Sequence, residues 1–402
     1  MLENFKKWNF WLVGGVLFIT TIFVVSLILL ISKVNPLSFW NTIFIQLLSN
    51  LVTFSNLVET FCVLLLTGLA VAITFKYRIY NLGVSGQMMF SAMVAYVLAV
   101  TIAKSGGHTQ WITPFLILVA IVIGGLSGLM IAVLKAYFKV HEVISTILFN
   151  FIAWEGYKGI MSSKIYEDLK IPTAITNLRF SLVSGPFSVT NLFSSAIIIA
   201  LLIFIMAFIM FNNRTLGFKL NAIAKNPMAA KQARLNPQFQ GLIILPISGA
   251  ISGVAGYLYF LGINNHLPVL SVPIQEGFYG IVVATMAGYA PLLVLPSTIF
   301  VSLFVSPIEH NAFIYLKNPE VALIILGITI YLMGIYPFIW HYLRHSVFIK
   351  ERWEQFKKKA SRHKIPPKKI SVIHLQTANK KLSKNKLSAL KDKIIRKKEK
   401  EK

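Results

Sequence analysis

Apolar residues in this chain fall in long blocks divided by short polar stretches, and block length decides what each block is. The runs FWLVGGVLFITTIFVVSLILLI (10–31) and AIIIALLIFIMAFIMF (196–211) approach or cover a hydrocarbon core about 30 Å thick, where the backbone must satisfy its own polar groups. Similar blocks recur, and they predict spanning helices near 9–31, 57–75, 83–103, 113–134, 142–161, 190–211, 239–262, 275–290, 292–308 and 320–342. The predicted fold is all-α: a polytopic membrane helix bundle of about ten transmembrane helices. The stretch 37–55 is apolar but short and follows Pro36, so it reads as re-entrant or interfacial. The first run is a retained helix, because it exceeds the roughly 7 to 15 apolar residues of a signal peptide and no A-x-A-like site follows it.

Composition agrees with a membrane body. Hydrophobic residues make up 56% of the 402 and charged residues 13%, against about 25% charged in a soluble domain. Cys62 is the sole cysteine, which excludes an intrachain disulfide and a cysteine-based metal cluster. The net charge of +25 is unevenly placed: residues 344–402 hold 21 Lys/Arg against 5 Asp/Glu. The chain therefore divides into a transmembrane domain, 1–343, and a disordered basic cytoplasmic tail, 344–402. The tail is drawn to anionic lipid at about 1 kcal/mol per near-surface cation, a reading preferred to nucleic-acid contact.

Loop cations set the orientation. With the N-terminus inside, inner segments before the tail hold Lys6, Lys7, Lys76, Arg78, Lys135, Lys139, Arg214, Lys219, Lys225, Lys231 and Arg234. Outer segments hold Lys33, Lys104, Lys158, Lys164, Lys170, Arg179 and Lys317, fewer and more widely spread. Both termini are then cytoplasmic in a multi-pass plasma-membrane protein. Two polar segments stand out: 162–189 should lie outside and 212–238 inside. The second is rich in Ala, Lys and Gln and suits one or two short helices parallel to the membrane, with Pro227 and Pro237 bounding the latter. Small residues at four-residue spacing, Gly124/Gly128, Gly249/Gly253 and Gly280/Ala284/Gly288, read as packing seams within the bundle.

Candidate chemistry is sparse. There is no phosphate loop of the G-x-x-x-x-G-K-[ST] type and no H-E-x-x-H, and His141 stands beside Glu142 as a close acid–imidazole pair. No catalytic or metal-ligating residue is assigned. Among acids in or near spans, Glu59 and Glu142 lie near helix starts, where a carboxylate is favoured by the helix dipole. Glu155 reads as a solvated interfacial acid or a path residue. Two junctions carry more. RIYNLGVSGQMM (78–89) places glycines and Asn81 before an apolar helix, leaving helix-start N–H groups for a polar ligand, for water or for ordinary capping. INNHLPVLSVPIQEGFYG (263–280) combines Asn264, Asn265 and Gln275 with Pro268, Pro273, Gly277 and Gly280, the composition of a broken helix, which in transporters marks a substrate path.

Four segments together resemble the permease subunits of bacterial ABC importers of the branched-chain amino acid and simple-sugar type, nearest the nucleoside permeases. They are TGLAVAITFKYRIYNLGVSGQMM (67–89), VLKAYFKVHEVISTILFNFIA (133–153), LGFKLNAIAKNPMAAKQARLN (216–236) and SGAISGVAGYLYFLG (248–262). The resemblance spans roughly 55–340. It implies a second permease subunit, as a homo- or heterodimer, a cytoplasmic ABC ATPase that binds ATP and magnesium, and an external substrate-binding lipoprotein. This chain would then bind no cofactor. The loop 212–238 becomes the coupling segment, with Gly217, Phe218, Asn226, Pro227, Ala229 and Ala230 facing the ATPase. Asn81, Gly83, Gly86, Gln87, Asn150, Trp154 and Glu155 are placed on the translocation path. The family commonly has Glu where this chain has Ser85, and a Gly-Ile pair near Leu235 and Asn236.

Aromatics such as Trp154, Tyr157, Phe278 and Tyr279 suit stacking on a base or a sugar and equally an interfacial belt. A nucleoside importer is the favoured function, and a ribose- or galactose-type sugar permease is the alternative. An ion-coupled secondary transporter predicts a buried, titrating carboxylate, whereas the acids here gather near helix ends. An intramembrane enzyme lacks convergent catalytic groups.

Overall fold

The computed structural model describes residues 2–41, 51–104, 112–162, 195–212, 214–263, 267, 270, 272–315, 319–335 and 338. The polar segment beyond Ser162, the centre of the stretch 37–55, Asn264, Asn265, Pro268 and the basic tail lie outside the described residues.

The described chain runs through α1 (Leu2–Ile31), α2 (Leu51–Lys76), α3 (Val84–Lys104), α4 (Ile112–Phe138), α5 (Glu142–Met161) and α6 (Ser195–Asn212). It continues with two short helices, α7 (Thr215–Lys225) and α8 (Pro227–Gln232), then α9 (Gln238–Tyr257), which ends in a π-helical turn, Leu258–Ile263. The last three are α10 (Glu276–Met286), α11 (Pro291–Tyr315) and α12 (Pro319–Gly334). Each predicted span falls on one of these helices. Residues 53–76, 84–102, 113–138, 238–261 and 291–309 are long and apolar enough to cross a bilayer alone; α6 and α7 meet at a bend of 62°.

One predicted span is corrected. The block 275–290 holds an 11-residue helix, α10, about 16 Å long and half the thickness of a hydrocarbon core. Left-handed backbone at Gly288 (φ +56°) and Tyr289 (φ +60°) ends it. A second expectation shifts by a few residues: α8 stops at Gln232, and Pro237 stands at the start of α9 rather than at the end of α8.

A helix apolar on every side belongs either in a core or in lipid, and the bundle has both. Residues 62–74 of α2 are buried without interruption, because α9, α10 and α11 surround that helix. α4 is as apolar, yet Phe115, Leu118, Val122 and Leu126 lie exposed along it. Its opposite side forms the most extensive helix contact of the fold, with α9. Glycine makes that approach available: a Cβ at Gly124 would collide with the Gly249 carbonyl oxygen, and one at Gly253 with that of Ala120. The predicted seam is thus internal.

Several helices close on cations rather than glycine. Lys33, Arg78 and Arg234 take the left-handed position, with φ of +59°, +59° and +60°, and the following N–H groups return to the Leu29, Thr74 and Ala230 carbonyls at 2.9, 3.1 and 2.9 Å. A positive charge at a helix C-terminus offsets part of the backbone cost.

Candidate functional site

After α2 ends at Lys76, the chain folds back into the bundle instead of leaving it. The Tyr77 carbonyl accepts from Gln240 Nε2 at 3.0 Å, while Asn81 is fully buried. Its amide donates to Ser248 Oγ at 2.9 Å, and Ser248 Oγ donates to the Ala70 carbonyl at 2.9 Å. Ala70 lies six residues before Lys76, so Asn81 sits about 9 Å in from that end of α2. Residues 77–83 are therefore a re-entering strand of irregular backbone, which a membrane protein tolerates only where protein or water covers it.

The start of α3 is locked by two asparagines. Asn81 Nδ2 also donates to Gln87 Oε1 (3.0 Å), and Asn81 Oδ1 accepts the Gly83 N–H (3.0 Å). Asn150, in the middle of α5, accepts the Gly86 N–H at 2.8 Å and donates to the Leu82 carbonyl at 2.8 Å. Gly86 is required here because a Cβ would come within 2.8 Å of Asn150 Cα. Thr146 adds a longer contact, its Oγ1 accepting the Leu82 N–H at 3.4 Å.

α10 begins at the same depth. A Cβ at Gly277 would collide with Ser85 N and Oγ, and one at Gly280 would meet Thr67 at 2.7 Å. Ser85 Oγ donates to the Ile274 carbonyl at 3.0 Å. Thr67 is nine residues from Lys76, which puts the α10 N-terminus, one turn earlier, about 19 Å from that end and near the middle of α2. At the far end Tyr289 packs on Phe75, with ring centroids 5.4 Å apart, so α10 runs alongside α2 toward Lys76. Two helix N-termini, of α3 and α10, thus meet inside the bundle. Each presents the positive end of its dipole.

Glu276 opens α10 at 7% exposure. Its carboxyl accepts from the Tyr259 hydroxyl and from the N–H groups of Gln275 and Glu276. Tyr259 belongs to the π turn that ends α9. Glu309 of α11 accepts from the Tyr279 hydroxyl and lies near Glu276. Glu276 Oε2 and Gln87 Nε2 are buried without a hydrogen-bond partner among the described residues.

Of the residues placed on the path from sequence, Asn81, Gly83, Gly86, Gln87 and Asn150 come together around the α3 start. Trp154 and Glu155 do not join them. Trp154 stacks on Tyr157 (centroids 6.1 Å, planes 10° apart), and Glu155 pairs with Lys158 at 2.7 Å with 67% of its side chain exposed. Glu142 and His141 are structural: His141 Nδ1 accepts the Val143 N–H at 3.3 Å, and Glu142 pairs with Lys135 at 3.0 Å. Ser248, Thr146 and Glu276 were missed. Ser248 lies in a small-residue seam that reads as packing, while Glu276 directly follows the polar cue at Gln275.

In the segment 212–238, Asn226 Oδ1 accepts the Ala229 N–H at 3.1 Å and Pro227 opens α8. Ala230 is buried at 4% exposure, while Phe218 and Met228 are 77% and 79% exposed. Gly217 admits the Phe211 carbonyl, which any Cβ would strike. Gln240 Nε2 also reaches the Leu220 carbonyl at 3.4 Å, tying α7 to the re-entering strand.

Comparison with known proteins gives a consistent picture. Residues 53–334 match the family described as the permease component of the branched-chain amino acid transport system. The nucleoside ABC transporter permease protein NupB of Lactococcus lactis is 26% identical over 71% of this chain and 79% of its own length. The guanosine ABC transporter permease protein NupP of Bacillus subtilis is 30% identical over 65% of this chain and 75% of its own. The glucose ABC transporter permease protein TsgB13 of Haloferax volcanii is 23% identical over 68% and 74%. No solved structure matches.

Proposed function

This chain belongs to the permease-component family of branched-chain amino acid transport systems, and from that premise we propose that it lines the membrane path of an ATP-driven nucleoside importer. ATP and magnesium are bound by a separate cytoplasmic ATPase, and an external lipoprotein delivers substrate. A second permease subunit completes the path, both termini face the cytoplasm, and 344–402 is a solvated tail. The observation that carries the reading is the meeting of two helix N-termini in mid-bundle, with buried polar side chains around them. An apolar bilayer offers a polar solute no such partners.

Coupling follows from connectivity. Exposed Phe218 and Met228 give α7 and α8 an apolar docking face for the ATPase. Motion of α7 reaches Gln240 through the Leu220 carbonyl, then Tyr77 and the strand holding Asn81. Rigid short helices transmit such a displacement better than a loop.

A second reading, a simple-sugar permease of the ribose or galactose type, is favoured by the relative named for glucose. Uptake of radiolabelled adenosine, uridine and ribose into vesicles holding the complete importer, with and without internal ATP, separates the two. ATP-dependent nucleoside uptake that excess ribose does not inhibit supports the first. Ribose uptake supports the second, and gradient-driven transport by this chain alone defeats both.

A further inference from the structure

We propose that Glu276 is a substrate-binding residue whose free carboxylate oxygen accepts hydrogen bonds from the ring hydroxyls of a sugar-bearing substrate. The assignment rests on the importer reading above and adds a named contact to it.

The polar residues around the two helix starts differ in what they still have to offer. Asn81 commits both amide hydrogens and its oxygen to Gln87, Ser248 and Gly83. Asn150 commits its oxygen to the Gly86 N–H and an amide hydrogen to the Leu82 carbonyl. These two are positioning residues, because binding a solute through them would break the contacts that hold α3. Glu276 is different. Tyr259 and two backbone N–H groups hold its carboxyl in place, while Oε2 remains buried and unpaired.

A buried acceptor left unpaired keeps its full desolvation penalty, so such an atom calls for a partner. The helix N-terminus favours negative charge there, and Gly277 brings the first turn of α10 hard against Ser85 at the start of α3. The partner must be a donor. Nucleosides, guanosine and glucose, the substrates in the relatives' names, share ring hydroxyls and no base. A carboxylate receiving ribose hydroxyls is also the pairing that dinucleotide-binding folds use.

The test compares Glu276→Gln with the unaltered chain in the complete importer, reconstituted in proteoliposomes. Adenosine and 2′,3′-dideoxyadenosine are supplied at concentrations that saturate the external binding protein, so its own preference cancels. Expected is a fall in maximal adenosine uptake on the order of tenfold, with dideoxyadenosine uptake falling less than about threefold. Equal losses for both, or no loss of adenosine uptake, would overturn the assignment. Tyr259→Phe loosens the Glu276 carboxyl without removing it and should keep the ribose preference; losing that preference would also count against Glu276. If the unaltered importer moves no nucleoside, the nucleoside reading fails, and glucose against 2-deoxyglucose applies the same contrast to Glu276.

Discussion

The α4–α9 seam and the meeting point of α3 with α10 are both built on glycine, and they use it to opposite ends. In the seam, Gly124, Gly249 and Gly253 bring backbone onto backbone. The nearby hydroxyl of Ser127 turns back to its own helix, donating to the Gly124 carbonyl at 2.7 Å. Close backbone packing joins the helices there, as expected where lipid offers no hydrophobic drive. At the meeting point Gly86 and Gly277 also admit backbone, that of Asn150 and Ser85, but there the Asn150 amide oxygen and the Ser85 hydroxyl stand among the close neighbours. A dry seam has one good arrangement, whereas a polar junction can exchange partners.

Substitutions should separate the two. Gly249→Val inserts side-chain atoms where the Gly124 carbonyl lies and should cost about 3 kcal/mol. Thermal unfolding of the purified permease should show it, and surviving protein should keep unaltered substrate preference. Asn81→Ala leaves the Gly83 N–H and the Gln87 and Ser248 side chains short of a partner, for about 2 kcal/mol. Here maximal uptake should fall further than stability accounts for. If both variants lost uptake only in proportion to folded protein, the distinction between seam and junction would collapse.

The short helices α7 and α8, proposed to meet the ATPase, give a smaller effect that sharpens the contrast by lying outside both regions. Ala229 is exposed, so Ala229→Glu should shift folding by less than about 0.5 kcal/mol yet weaken ATPase capture, measured by co-purification. Ala230 is buried, and Ala230→Glu should disturb α8 itself. Unchanged assembly in both would count against this docking face. The smallest effect belongs to Glu155→Gln. Its pair with Lys158 is exposed and contributes less than about 1 kcal/mol, so uptake should stay within about twofold, and a complete loss would return Glu155 to the path.

Legibility followed the range of the interactions. Helix positions are legible in the apolar blocks, because a helix depends on neighbours a few residues apart. The strand 77–83 was flagged by its glycines and Asn81, and α10 by Pro273, Gln275 and Gly277. Their juxtaposition was not readable. Asn81 and Ser248 are 167 residues apart, and Ser85 and Ile274 are 189 apart. Trp154 and Glu155 shared a helix with Asn150, but their contacts with Tyr157 and Lys158 set them apart from it.

By itself, then, the sequence determined a multi-pass helical permease and its family, since long apolar blocks have no stable home in water and motif spacing survives without coordinates. Tertiary structure alone decided that the 275–290 block is a half-length helix starting beside α3, and that Glu276 keeps an unpaired oxygen there. Depth in the bundle and the saturation of hydrogen bonds are properties of packed neighbours, which no local pattern encodes.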